Sequence, residues 1–149
     1  IADFTYGDSL PWPDGADGAG YSLVLAGGDP AAPLHWRMST ALDGNPGTDD
    51  SVEFTGSAED LIPYVLAGPP GSEVGGEGFL LTFENHLASD HALINVEFST
   101  DLVTWTAATE QDLVAIDHQG AGRAAQKWLS PFPVASNPLQ FARVRVELR

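Results

Sequence analysis

Apolar and polar residues alternate in short runs along the chain, and this pattern predicts β-strands. In the run 92–100, the apolar Ile94, Val96 and Phe98 would lie on one face of a strand, with the polar residues between them on the other. The stretch FARVRVEL near the C-terminus alternates in the same way. Both runs are typical of a sheet with one face in water. We predict strands at residues 1–6, 21–26, 51–55, 78–84, 92–100, 104–108, 113–118, 124–129 and 139–148.

One stretch has the pattern of a helix, SAEDLIPYVLAG at residues 57–68. Ser57 can cap its start, acidic residues occupy the first turn, and Gly68 is a stop signal. Pro63 would interrupt a longer helix, so we predict a short helix near residues 58–67. The stretch 67–78, AGPPGSEVGGEG, is rich in Gly and Pro and has the composition of a linker.

Composition limits the size and class of the protein. A chain of 149 residues suits one ordinary domain or two small ones, and its 43% of apolar residues can form a packed core. The chain has no cysteine, which excludes disulfides. No apolar run is long enough to cross a bilayer. The first ten residues lack the pattern of a signal peptide, so we expect any export signal to have been removed or to lie outside this chain.

Charge is the strongest compositional feature, since the net charge is −15. Residues 1–122 hold 20 acidic residues and only Arg37, a charge of −19, whereas 123–149 hold five basic residues and one acidic, a charge of +4. An anionic body repels phosphate, so we predict no nucleic-acid partner. Such a surface is typical of a salty exterior, where counterions screen self-repulsion. The basic C-terminal residues would face an acidic surface, either within the fold or on a neighbouring subunit.

Two segments near the start carry spaced Gly, Pro and Trp residues, namely YGDSLPWPDGADGAGYSLVL (6–25) and HWRMSTALDGNPGTDD (35–50). Together they resemble the closing part of bacterial lamin-tail domains, in which a Y…PWP…ADG-x-GYSL-x-L segment precedes a W-R-x-S…G-x-PG ending. The resemblance covers roughly residues 1–50. It implies an immunoglobulin-like β-sandwich of the kind found in large secreted or surface-attached bacterial proteins.

Residues 58–149 resemble a module that often stands at the C-terminus of such bacterial exoproteins. DLIPYVLAGPP is similar to its short helical entry, although Pro63 replaces the usual acidic residue and the usual Asn or Asp is absent before the final Pro. VEFSTDLVTW is similar to its V-E-x-S-x-D-L-x-x-W hairpin, and FARVRVEL to its last strand. The predicted fold class is therefore all-β, with immunoglobulin-like or β-sandwich modules and little helix. The predicted organisation is a partial lamin-tail-like β segment at 1–56, a short helix and linker at 57–78, and a C-terminal β-sandwich module at 79–149.

A complete lamin-tail domain is about twice as long as residues 1–50, so the resemblance implies that its earlier strands are missing here. A half-sandwich would expose apolar surface and unpaired strand edges, which native proteins seldom tolerate. We expect a truncated or processed parent, or cover of the edge by another chain or by the second module. Strand addition from a neighbouring subunit is one form of such cover.

The aspartates of PDGADGAG favour a turn over a metal site. Asp14 and Asp17 are three residues apart without a distal Glu, so the EF-hand pattern is not met, and Asp-Gly pairs are a turn signature. Asp49, Asp50 and Glu53 are a weaker candidate for a cation site. The four histidines are scattered, so we predict no metal site. We predict that no cofactor is required and keep a structural Ca²⁺ as the alternative.

Catalysis has little support in the sequence. The chain has no G-x-S-x-G elbow and no phosphate-binding loop, and paired carboxylates cannot be told apart within 21 acidic residues. Aromatic side chains are the better candidates for ligand binding, because a sugar ring can stack on them. We predict Trp12, Tyr21 and Trp36 as the ligand-binding residues. The alternative is that these rings, with Trp105 and Trp128, close small β cores.

The expected function is a non-catalytic structural or adhesive module of an extracellular or cell-surface bacterial protein, which self-assembles through β-sheet edges. The alternative is an accessory carbohydrate-binding module of a larger secreted enzyme. The expected partners are other copies of the chain or the remainder of a larger parent chain, with polysaccharide as the ligand of the alternative. We predict no enzyme activity, no nucleic acid and no membrane span.

Overall fold

The computed structural model describes residues 3–149, and it confirms the all-β class. Within these residues, nine strands form three antiparallel sheets, and one short α-helix precedes the two larger sheets. The predicted strand at 1–6 lies partly on residues 1 and 2, outside the described residues, and residues 3–6 are not a strand. The elements are β1 (Leu23–Leu25), β2 (Trp36–Met38), α1 (Leu61–Val65), β3 (Gly71–Gly75), β4 (Gly78–His86), β5 (Ala92–Ser99), β6 (Thr106–Ala107), β7 (Leu113–Gly120), β8 (Arg123–Leu129) and β9 (Phe141–Leu148).

The two larger sheets face each other and share one core. One has the strand order β3-β4-β8-β7 and the other β6-β5-β9. Alternation places one face of each strand inward, so Phe79 of β4 meets Phe98 of β5 with ring centroids 6.3 Å apart. Phe98 is 0% exposed. Burying each such side chain contributes about 1.5 to 3 kcal/mol, which makes this apolar layer the main support of the sandwich.

The predicted short helix is confirmed. A 3₁₀ turn, Ala58–Asp60, leads into α1, and Ser57 and Asp60 form a capping box at its start. Pro63 lies within the first turn of α1, where its missing N–H breaks no helical hydrogen bond. Val65 at the end of α1 is fully buried in the core of the sandwich, so the helix closes one side of that core.

Three sequence predictions need correction. The linker-like stretch 67–78 contains β3, which pairs with β4 along its whole length. Its five residues are all exposed at the sheet edge, so no apolar alternation marks them as a strand. Strand β2 is absent from the predicted set, because three residues are too short a run to show a period. Residues 51–55 form no strand; Val52 makes isolated bonds to the Ala88 carbonyl and the Tyr64 hydroxyl instead of a ladder.

The N-terminal segment, defined as residues 3–56, has few regular elements and lies against the sandwich. Strands β1 and β2 pair only with each other. Below them the buried Met38 packs with Leu87 and Ala124 of the sandwich region, and Tyr21 and Ile116 border this cluster. The sandwich region therefore covers apolar surface of the N-terminal segment within one chain, while the outer edges of β1 and β2 pair with no further strand of residues 3–149.

Candidate functional site

A buried ion cluster joins the N-terminal segment to the sandwich. Arg37 on β2 donates from Nε to Asp90 Oδ1 and from Nη2 to Asp90 Oδ2, both at 2.6 Å. Its Nη1 donates to Asp50 Oδ2 at 2.7 Å, and Nη2 also donates to the Asp50 carbonyl at 3.0 Å. Thr40 and Asn45 donate to the second oxygen of Asp50. These five residues are the Arg37 cluster.

The Arg37 cluster is charged although Arg37 is buried and its partners are only partly exposed. Burial alone would lower the pKa of Arg37, but the hydrogen bonds to Asp90 and Asp50 outweigh burial and raise it. Burial alone would raise the pKa of Asp50, but the bonds from Thr40 and Arg37 outweigh it and lower the pKa. A buried charge is tolerated when it is paired and hydrogen-bonded. Because these contacts need one specific geometry, they fix the N-terminal segment in one position on the sandwich.

Sequence reasoning missed this cluster because its members are far apart in the chain. Asp90 lies in the connection from β4 to β5, 53 residues after Arg37. One signal was available: Arg37 is the only basic residue among the first 122. A lone arginine among so many acids is well placed to be a structural ion-pair partner. Asp50, a weak cation-site candidate from the sequence, is one of its partners.

Trp12 and Trp36, two of the three predicted ligand-binding residues, lie close together. Their ring centroids are 6.3 Å apart and their planes meet at 43°. Phe4 lies 5.0 Å from Trp36, and Tyr6 meets Trp12 edge-on at 5.1 Å. Trp12 is only 8% exposed, and Trp36 donates from Nε1 to the Pro30 carbonyl at 2.8 Å. The rings form a packed aromatic cluster and not a flat, exposed platform.

Tyr21, the third predicted residue, has different neighbours. Its ring lies on His118 of β7, with centroids 3.9 Å apart and planes 30° apart. His118 Nδ1 accepts the Gly120 N–H at 2.9 Å, and its buried Nε2 has no partner within residues 3–149. Tyr21 therefore covers an inward histidine where the N-terminal segment meets the four-stranded sheet. The structure does not bring it together with Trp12 and Trp36.

The motif STDLVTW forms a tight polar turn between β5 and β6. The buried Ser99 accepts the N–H of Leu102 at 2.9 Å through its hydroxyl. Asp101 Oδ1 accepts the N–H groups of Thr104 and Val103 at 2.7 and 2.8 Å. These two bonds lower the pKa of Asp101 from 3.8 to about 2. The most distinctive motif of the second module thus has a structural role, with Leu102 held at φ +63°.

Four of the five remaining basic side chains pair with a glutamate within the fold, and the fifth, Arg149, donates from Nε to the Ala92 carbonyl at 3.2 Å. Arg123 contacts Glu84 at 3.2 Å, Lys127 contacts Glu73 at 3.5 Å, and Arg143 contacts Glu97 at 2.5 Å. Arg145 also pairs with Glu147, and the Arg143 guanidinium lies 4.0 Å from the centre of the Trp105 ring. Four of the basic C-terminal residues therefore contact acidic side chains within the fold.

The Asp-Gly segment forms the predicted turn. Residues Asp14–Ala16 make one 3₁₀ turn, closed by the Asp17 N–H on the Asp14 carbonyl at 2.8 Å. Within residues 3–149, no three His, Cys, Asp or Glu side chains are grouped so that they could hold a metal ion. No helix in this part of the chain is long and apolar enough to span a membrane. No family model matches the chain, and no curated protein or solved structure matches it significantly.

Proposed function

We propose that this chain is a non-catalytic structural or adhesive module of an extracellular or cell-surface bacterial protein. The observation that carries the proposal is the Arg37 cluster. It ties an irregular segment of more than fifty residues to a β-sandwich through hydrogen-bonded charges that are largely shielded from solvent, and we infer that the two parts move as one body. Stiffness across a junction is what a scaffold or an adhesive stalk requires.

The motif residues of the N-terminal segment support this role through their contacts. Ser39, part of the W-R-x-S pattern, accepts the Ser22 N–H at 3.0 Å and donates to the Ala41 carbonyl at 2.8 Å. Arg37, from the same pattern, is the centre of the ion cluster. Residues of the lamin-tail resemblance thus serve to hold the segment in place. Together with the net charge of −15, which suits a salty exterior, the resemblance favours a secreted or surface-attached module.

Strand β3 is the edge through which we propose that copies of the chain associate. It pairs with β4 on one side only, and Val74 near its end is 67% exposed. An unpaired strand edge can accept a further strand. The neighbouring charge is low, because Glu73 on this strand is already paired with Lys127. This pairing lowers the local repulsion that a second copy meets at β3.

Sedimentation velocity of the recombinant chain tests this association. Repulsion between bodies of charge −15 is screened by salt, so we expect dimers or larger species to increase from about 50 mM to about 1 M NaCl. The substitution Val74→Lys should abolish them, whereas Val103→Lys, on a loop residue that is 83% exposed, should not. A monomer at every salt concentration would contradict assembly through β3.

Location is tested separately in cells that produce the protein. External protease and an antibody against the chain should both reach it on intact cells or find it in the medium. A chain that is protected in intact cells and accessible only after lysis would contradict the extracellular part of the proposal.

The carbohydrate-binding alternative is weakened at the residues predicted for it. An aromatic platform needs exposed, nearly coplanar rings, but Trp12 is buried and tilted 43° from Trp36. The contacts of these rings are those of core closure. A sugar site in this chain would therefore need a stacking surface other than the tilted Trp12–Trp36 pair.

A further inference from the structure

A cavity of about 300 Å³ lies where the N-terminal segment meets the open end of the sandwich. One wall is the inward face of the four-stranded sheet, and a second is β5 of the facing sheet. The N-terminal segment closes the cavity on the remaining side. The polar and aromatic side chains that line it include Trp36, Arg37, Asn85, Asp90, Gln126 and Trp128.

Two amide side chains project inward at positions where the sandwich elsewhere has apolar residues. Gln126 of β8 lies opposite Phe83 of β4, and Asn85 follows on the same face of β4. Phe83 is 2% exposed and Asn85 is 8% exposed, so this face is the interior of the protein. Burying an amide costs free energy unless its hydrogen bonds are made, so its presence in a core needs a reason.

The amides form a chain of hydrogen bonds that leaves donors unused. Trp128 donates from Nε1 to Gln126 Oε1 at 3.0 Å, and Gln126 Nε2 donates to Asn85 Oδ1 at 3.0 Å. Asn85 Nδ2 reaches only the His86 carbonyl, at 3.5 Å, which is long for a hydrogen bond. Each amide nitrogen carries two N–H donors, so this chain leaves part of their capacity beside the cavity.

The other walls contain aromatic residues and one ion pair. Trp36 and Trp128 both line the cavity. Arg37 and Asp90 also line it, and they form a salt bridge with each other. Ligand sites combine aromatic surface with a few placed polar groups, and about 300 Å³ is at the lower end of their size range. A single ring with hydroxyl groups on its edge and C–H groups on its face matches these features.

We propose that this cavity binds one neutral sugar residue. The amides of Asn85 and Gln126 bond its hydroxyl groups, and an indole packs against its C–H face. A neutral ring is favoured over an anionic one because Arg37 at the cavity is already paired with Asp90 and Asp50, Arg149 donates to the Ala92 carbonyl, and the whole chain carries a charge of −15. Sugar binding goes beyond the proposed structural role, which requires no ligand, and gives the module a means of adhesion.

Titration of the recombinant chain with glucose, galactose, mannose and N-acetylglucosamine tests the inference, with glucuronate as the charged comparison. Saturation-transfer NMR detects the sugar, and tryptophan fluorescence reports on the walls. We expect saturable binding of at least one neutral sugar with a millimolar Kd, and weaker binding of glucuronate. Gln126→Leu should weaken binding by about tenfold, since it removes an amide but keeps the side-chain volume. Gln119→Leu, which changes an exposed amide on β7, should not alter it.

Several results would overturn the inference while the chain remains folded by circular dichroism. These are no saturable binding of any neutral sugar, tighter binding of glucuronate, or unchanged binding by Gln126→Leu. If Gln126→Leu does not fold, Asn85→Gln replaces it, because a longer amide in the same place should still weaken binding. If Val74→Lys abolishes association but leaves sugar binding intact, association through β3 and sugar binding in the cavity are independent of each other.

Discussion

The N-terminal segment and the sandwich are held in place by different forces. The sandwich consists of long strands whose apolar faces pack in one core, with fully buried side chains such as Phe98 at the centre. The N-terminal segment has two strands of three residues each, and its position depends on the Arg37 cluster and on the packing of Met38. The strands of the sandwich bury their apolar faces against one another, whereas the N-terminal segment buries Met38 against the sandwich.

This difference implies an order of dependence: the N-terminal segment needs the folded sandwich, but the sandwich does not need the segment. A buried ion cluster gives little net stability, because desolvation opposes the attraction of the charges, but removing one member leaves the others unpaired and is strongly unfavourable. The segment should therefore detach as a unit when the cluster is broken, while the sandwich remains. The N-terminal segment should not stay folded when the sandwich unfolds, because it then has nothing to pack against.

The largest effect is expected for Phe98→Ala, which removes the centre of the sandwich core. We expect the free energy of unfolding to fall by about 3 to 5 kcal/mol, through lost burial and the cavity that remains. Both regions should unfold in one transition, measured in urea by far-UV circular dichroism and tryptophan fluorescence. Val103→Ala, on an exposed loop, should change stability by less than about 0.5 kcal/mol. Survival of the N-terminal contacts without the sandwich would contradict the order of dependence.

The next effect is expected for Arg37→Ala, which breaks the junction alone. Asp50 and Asp90, whose side chains are 8% and 15% exposed, are left without their cation, at a cost of about 3 kcal/mol. Limited proteolysis should cut the N-terminal segment first and leave a resistant fragment of the sandwich. Arg145→Ala, which breaks an exposed pair with Glu147, should cost less than about 1 kcal/mol and leave the cleavage pattern unchanged. Equal cleavage in both regions would show that the junction does not act as described.

A smaller effect on the same region is expected for Gly15→Ala. A Cβ at Gly15 would lie 1.9 Å from Met38 Sδ, and Met38 is 1% exposed and has little room to move. We expect a loss of about 1 to 3 kcal/mol, the usual range for overpacking. Gly68→Ala is the matched control, because a Cβ there has no atom within 4 Å. Thermal unfolding of the two variants gives the comparison, and equal stability would argue against close packing of the turn on Met38.

How far the sequence reveals the fold differs between the same two regions. Alternation places β4, β5, β7, β8 and β9 almost correctly, because each has a buried face with a period of two. Strand β3 gives no such signal, since it is an exposed edge that depends on its bonds to β4. The Arg37 cluster joins residues 53 positions apart, and the spacing of the chain cannot show that contact. The inward amides Asn85 and Gln126 read as ordinary polar positions in the sequence, because only the facing of the two sheets places them inside.

The smallest effect is local and depends on pH. The pKa of Asp101 is lowered to about 2, so the unfolded chain binds this proton more tightly than the folded chain does. The stabilising contribution of Asp101 is thus present above about pH 4 and is lost as the pH falls through about 2. NMR titration of the Asp101 carboxyl and of the Val103 and Thr104 amides should follow that transition. Asp101→Asn, which keeps an acceptor oxygen, should preserve the turn and remove the pH dependence; an unshifted Asp101 would contradict the turn geometry.

Native-state hydrogen exchange tests the order of dependence most directly. The amides to follow are those of Ala26 and Ser39 in the N-terminal segment and those of β4, β5 and β8 in the sandwich. In Arg37→Ala we predict that protection of the Ala26 and Ser39 amides is lost, whereas that of the sandwich strands is retained. Equal loss in both regions, or unchanged protection of Ala26 and Ser39, would contradict the claim that the Arg37 cluster holds the segment on the sandwich.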